Sequence, residues 1–288
     1  MVEHYFRVSK SPIKQQGFFS SWVSSWDLTS WLILANVLFF IILAVLRGFF
    51  SVDELLALQP KSLFENGYYW TLITSMFMHA NFAHLFVNMF SLFFVGRFLE
   101  ALIGKKRFFW LYIFSGIFAG LFFAVLSYFF GSTGFGINIF GMPDTYAVGA
   151  SGALFGIVGV LAFLTPKNKV YLLAGPLMAI IFQAIIVNFI SSQGLLSFLD
   201  FVVMFYIFIS IFSMMSFRAS KIAVPVEMPF WILPFVALIP LIIIGLFVSL
   251  PIGNMAHLGG LIAGGAYGLY LRCKYKRKTQ LICEYFSR

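Results

Sequence analysis

The stretch "GASGALFG" occupies Gly149–Gly156, at the head of the apolar run 148–165. Four small residues and one hydroxyl precede any bulky side chain, and the run that follows approaches the roughly 20 apolar residues that cross a bilayer core. The rest of the chain has the same character: 61% of the 288 residues are hydrophobic, 10% are charged, and 39 are Phe. The mean hydropathy is +0.96. A soluble domain of this length has no interior large enough for so much apolar surface, so the composition indicates an integral membrane protein. The net charge of +9 would suggest nucleic acid in a soluble chain. Here the basic residues cluster between apolar runs, so membrane topology accounts for them and no nucleic-acid partner is expected.

Eight apolar runs follow one another, at 31–50, 82–99, 108–130, 148–165, 171–190, 195–217, 229–250 and 254–271. All are expected to be helical, because lipid offers no partner to an unpaired backbone group. With the N-terminus inside and alternating crossings, 17 of the 19 Lys and Arg residues fall inside, and only Arg47 and Lys61 fall outside. That bias supports a cytoplasmic N-terminus and C-terminus. The connection 51–81 is too broken by Pro60, Glu65 and Gly67 to span, and its Tyr68, Tyr69 and Trp70 suit the membrane interface. It is expected to be a structured loop lying partly in the outer leaflet. Residues 1–30 contain no short apolar core ending in Ala-x-Ala, so no cleavable signal is expected. The organisation expected is a cytoplasmic tail at 1–30, one membrane domain at 31–272 and a basic cytoplasmic tail at 273–288.

Chemistry in such a chain has few candidates. Ser151 lies about four residues into its run and His257 about three into 254–271, both entering from outside. At roughly 1.5 Å per residue the two side chains share one depth. A neutral imidazole within hydrogen-bond reach could take the proton of an otherwise weak Ser nucleophile. Gly149, Gly152, Gly156 and Gly159 form one stripe of small residues, and Ala256, Gly260, Gly264 and Gly268 form another. Such stripes let helix backbones approach in lipid, though they are also common in ordinary membrane packing. In "HANFAHLFVN", His84 and Asn88 are four apart on one helical face at the outer end of 82–99. They could donate to a developing oxyanion beside the backbone N–H groups near Ser151. His79 is assigned a structural role, fixing the loop 51–81. No carboxylate is placed to complete a triad. Asp200, near the outer end of its run, suits an interface or a helix cap better than catalysis. Cys273 and Cys283 have no nearby His and no metal-ligand spacing, so they are read as two free thiols.

Together these motifs resemble the rhomboid intramembrane serine proteases. The resemblance is carried by "GASGALFG", by "AHLGGLIAG" with His257, Gly260 and Gly264, and by "HANFAHLFVN", and it covers roughly residues 30–272. It implies an all-α bundle with a six-helix core, here with two extra spans between the Ser and His runs, about eight in all. It implies peptide-bond hydrolysis within or beside the membrane without metal or cofactor, with Ser151 as nucleophile and His257 as general base and acid. His84, Asn88 and the Ser151 N–H would form the oxyanion hole. Gly149, Gly152, Gly260 and Gly264 would serve substrate access and helix contact. Phe155 stands where the family places an aromatic beside the His. Expected partners are single-span membrane proteins and membrane lipid, and the expected location is a cell membrane, a prokaryotic one because no organelle-targeting segment is visible. Two departures stand out. Trp70-Thr71 replaces the Trp-Arg frequent in the family, and the extra spans alter the route by which substrate enters. A non-catalytic rhomboid-like client-binding protein and a transporter are the alternatives. The first is opposed by the presence of both Ser151 and His257, the second by the lack of deep charged residues.

Overall fold

The computed structural model describes residues 26–213, 220–246 and 253–286. His4, Arg7, Lys10 and Lys14, together with Arg218 and Arg288, lie outside the described residues. Helices occupy all eight apolar runs: α1 (Leu28–Leu46), α5 (Phe82–Ile103), α6 (Lys105–Phe130), α8 (Ser151–Leu164), α9 (Ala174–Ile186), α10 (Gln193–Ser213), α11 (Leu233–Gly245) and α12 (Asn254–Lys274). Short helices α2 (Val52–Leu56), α3 (Pro60–Glu65) and α4 (Thr71–Thr74) build the first long loop, α7 (Gly134–Phe140) lies in the second, and α13 (Lys276–Tyr285) follows α12. Of these, α1, α5, α6 and α10 are by length and composition long and apolar enough to cross a membrane, while α8, α9 and α11 are shorter. The protein is a helical membrane bundle.

The core is a three-helix contact in which α6, α8 and α12 each pack against the other two. Nearly every side of α8 is buried, as expected of a helix that is apolar all round. Its packing against α12 is backbone on backbone. A Cβ built on Gly260 would stand 1.9 Å from the carbonyl oxygen of Gly152, and one on Gly264 would stand 1.9 Å from that of Gly156. Gly268 faces Val160 one turn further on, so rising residue numbers meet rising residue numbers and the two helices run parallel. A Cβ on Gly152 would also meet the Ala119 methyl at 2.6 Å, and one on Gly259 would stand 3.2 Å from the Ala119 Cα, so α6 packs closely on both helices.

Two non-local ties hold the periphery. Glu100 of α5 is 6% exposed and accepts from the Leu28 and Thr29 N–H groups and the Thr29 hydroxyl, at 2.7–2.8 Å. It thus caps the first turn of α1 from another helix, where a carboxylate also suits the dipole. Arg97 adds an ion pair to Asp27, the local N-cap of α1, at 2.8 Å. Just before Arg97, α5 carries a widened π turn at Leu92–Gly96.

The run 171–190 departs from a single helical span. Its first residues belong to strand β1 (Lys169–Leu173), which pairs antiparallel with β2 (Pro225–Pro229). Glu227 accepts from Tyr171 at 2.9 Å and pairs with Lys169. Pro225 and Pro229 stand at the two ends of β2, where their missing N–H groups end the ladder. This two-stranded ladder lies at the base of α9 and α10, which pack as a hairpin cross-linked by Gln183 and Asp200. Asp200 therefore joins two helices rather than capping one.

The packing makes a testable distinction between glycines of one helix. Gly260→Ala should force α8 and α12 apart, an overpacking cost of about 1–3 kcal/mol, and lower the unfolding temperature in detergent. Gly265→Ala should be close to neutral, because its Cβ would meet only the Phe163 ring, at 3.4 Å. Equal unfolding temperatures for the two variants would contradict the backbone contact.

Candidate active site

Ser151 is the first residue of α8, and the chain reaches it through Gly149, whose φ of +124° is open to glycine and strained for other residues. The approach is held by the first long loop. Gly149 N–H donates to the Ser75 carbonyl at 2.8 Å, and Ala147 and Leu58 exchange backbone bonds at 2.8 and 3.1 Å. Irregular backbone at membrane depth is tolerable where protein satisfies it in this way. Thr71, at the position of the departure from the family pattern, is buried, and its hydroxyl donates to the Tyr68 carbonyl at 2.6 Å. Thr74 donates to Leu56 O at 2.6 Å and the Trp70 indole to Leu55 O at 2.8 Å, so this loop is tied to itself through α2 and α4.

The 14 residues of α8 rise roughly 21 Å, short of a bilayer core of about 30 Å. Exposed Lys167 stands just past its C-terminus. The N–H groups of its first turn have no intrahelical acceptor and carry the positive end of the dipole.

The structure brings His257 to this point. It is the fourth residue of α12, and its Nε2 lies 2.8 Å from the Ser151 hydroxyl oxygen. The imidazole stacks on Phe155, with ring centroids 4.5 Å apart and planes 16° apart. Its Nδ1 has no partner among the described residues. The pair is a Ser–His contact without a carboxylate behind it.

His84 comes to the same place from α5. A Cβ on Gly149 would stand 2.8 Å from His84 Cε1 and Nε2 and 3.8 Å from Ser151 Oγ, so the imidazole fills the space that glycine leaves beside the hydroxyl. Asn88 is 4% exposed, and its Nδ2 donates to the carbonyl of His84 at 2.8 Å. One amide hydrogen is therefore committed to its own helix, and the second is left. His79 is fully buried and meets His84 edge to face, with centroids 5.2 Å apart. Asn81 caps α5 by accepting from the His84 N–H at 2.8 Å, which fixes where His84 starts its turn. Sequence reasoning did not identify two supporting groups, the Ser75 carbonyl that anchors Gly149 and Ser115 of α6, whose side chain stands 2.4 Å from where a Gly156 Cβ would be. Only their place in polar breaks of apolar sequence marked them. Among the described residues no group of three His, Cys, Asp or Glu side chains is arranged to hold a metal ion.

Comparison with known proteins agrees with this architecture. The family model described as the rhomboid domain matches residues 66–202. The chain is 34% identical over 151 residues to Inactive RHOMBOID-like protein 8 of Arabidopsis thaliana, covering 52% of this chain and 38% of that protein. It is 37% identical over 99 residues to Putative rhomboid protease YdcA of Bacillus subtilis, covering 34% and 43%. It is 31% identical over 139 residues to Rhomboid protease GluP of the same organism, covering 48% and 24%. The chain thus spans about a quarter to under half of the length of these relatives. Residues 66–202 thus match the rhomboid domain, and they sit in a helical membrane bundle with a Ser–His contact at the head of α8.

Proposed function

We propose that the protein is an intramembrane serine endopeptidase that cleaves single-span membrane proteins near the outer side of a cell membrane. The observation that supports this most is the 2.8 Å contact of His257 Nε2 with Ser151 Oγ at the start of α8. Ser151 Oγ attacks the scissile carbonyl while its proton passes to His257 Nε2. The oxyanion that forms faces the free N–H groups at the start of α8, the His84 imidazole and the remaining amide hydrogen of Asn88. Collapse of this intermediate breaks the C–N bond, and His257 gives its proton to the leaving amine. A water then attacks the acyl-Ser151 ester, losing its proton to His257, and the second collapse frees the new carboxyl terminus and restores the serine. Phe155 limits the imidazole to one plane, so it needs no carboxylate to orient it. Gly149 and Gly152 leave room beside the hydroxyl for an extended substrate backbone.

A non-catalytic, client-binding role is the second possibility, favoured by the inactive relative. The two differ in one assay. Purified protein in liposomes, mixed with a labelled single-span substrate, is expected to release two fragments, and Ser151→Ala is expected to release none. Binding of the same substrate without fragments in wild type would support the client-binding role. His84→Ala and Asn88→Ala are expected to reduce kcat by about 10²–10³ with little change in KM, since they act on charge present only in the transition state. An unchanged kcat in both would remove them from the oxyanion hole.

The proposed orientation places both chain ends inside, following the distribution of Lys and Arg. The exposed native thiol of Cys273 provides the test. In intact cells expressing a Cys283→Ser variant, an impermeant maleimide should leave Cys273 unlabelled until the membrane is permeabilised. Labelling before permeabilisation would reverse the topology.

A further inference from the structure

We propose that the inner end of the bundle carries a binding surface for anionic phospholipid headgroups, built from the start of α6 and the junction of α12 with α13. Lys105, Lys106 and Arg107 open α6, and Lys276, Arg277 and Lys278 open α13. Arg272 and Lys274 end α12. All eight side chains belong to exposed residues.

Two distant parts of the sequence are brought together here. Tyr275 is the non-helical residue between α12 and α13, with φ −117° and ψ 42°. Arg107 donates to its hydroxyl at 3.1 Å and lies over its ring at 5.0 Å. Lys274 approaches the same ring at 5.8 Å. One aromatic ring thus collects cations from α6 and from α12. Among the described residues none of the eight forms a salt bridge, those present using Arg47, Lys61, Arg97 and Lys169; Asp27, paired with Arg97, is near enough for its charge to act on Lys105 as well. Neither α6 nor α13 has an acidic residue in its first turn, so each begins with cations at its positive dipole end. Eight like charges so placed repel one another unless an outside anion neutralises them.

The shape of α13 points to lipid rather than to a soluble anion. One face is fastened to the bundle. Thr279 is buried, Cys283 Sγ donates to the Leu164 carbonyl at 3.2 Å, and Phe286 meets Phe98 of α5 with centroids 5.3 Å apart. The other face carries Arg277, Leu281 and Tyr285 at spacing four, with Leu281 52% and Tyr285 65% exposed. Cations beside uncovered apolar side chains on a helix held at the end of a membrane bundle match the headgroup–acyl boundary. The phosphodiester charge would meet the Lys and Arg side chains, and the first methylenes of the acyl chains would cover Leu281 and Tyr285.

The test reads binding and is independent of proteolysis. Thermal unfolding of the full chain in a neutral detergent would be followed while titrating short-chain phosphatidylglycerol, phosphatidylcholine of equal chain length, or inorganic phosphate. Phosphatidylglycerol is expected to raise the unfolding temperature saturably, and phosphatidylcholine and phosphate are not. Lys276→Gln/Arg277→Gln/Lys278→Gln is expected to weaken half-saturation about tenfold or more. Lys105→Gln/Lys106→Gln, which keeps the Arg107–Tyr275 contact, is expected to weaken it in the same direction. Equal responses to the two lipids, an equal response to phosphate alone, or wild-type half-saturation in both variants would overturn the proposal.

Discussion

The contact of α8 and α12 through bare backbone is the constraint from which the site follows. Gly260 and Gly264 lie so near the carbonyls of Gly152 and Gly156 that no side chain fits between them. Lipid supplies no hydrophobic drive to press helices together, so close van der Waals contact has to do it. Because the two helices run parallel, their starts are level, and Ser151 and His257 meet at 2.8 Å. The same closeness leaves α12 little freedom to slide or turn. A serine and a histidine about 100 positions apart are therefore held by stacked turns of helix rather than by flexible loops.

A second consequence concerns depth. Because α8 has only 14 residues, it is too short to cross a bilayer core by itself, and irregular backbone leads into it. The loop that contains α2, α3 and α4 makes this possible, since Leu58 and Ser75 bond the strand of chain that leads to Ser151. At the same point His84 occupies the volume that a side chain at Gly149 would take. On the proposed function, the N–H groups of the first turn of α8 would meet a developing negative charge beside these packed side chains, where each is worth more than in water.

Much of this was legible in the sequence because it is local or periodic. Hydropathy marks the helical runs, and spacings of three and four mark the faces of Gly152, Gly156, Gly260 and Gly264. Depth counting from span ends puts Ser151 and His257 level. What was not legible depends on partners far away in the chain. Glu100 caps α1 from 72 residues away, and nothing in its neighbours marks it for that role. The apolar run 171–190 reads as one span, but Tyr171 pairs with Glu227, 56 residues on, and the helix begins only after that strand. Asn88 reads as a free donor, yet half of its amide answers to the His84 carbonyl four residues back. The basic end of the chain reads as a tail, whereas Cys283 and Phe286 fasten α13 to the bundle.

The central claim is that the helix contact activates Ser151 through His257. The most direct measurement is covalent labelling by a fluorophosphonate probe, with the modified residue located by mass spectrometry. Wild-type protein should carry the label on Ser151. His257→Ala, in which Ser151 remains but its proton acceptor is gone, should carry none over the same time. Labelling of Ser151 at equal rates in the two proteins would contradict the account.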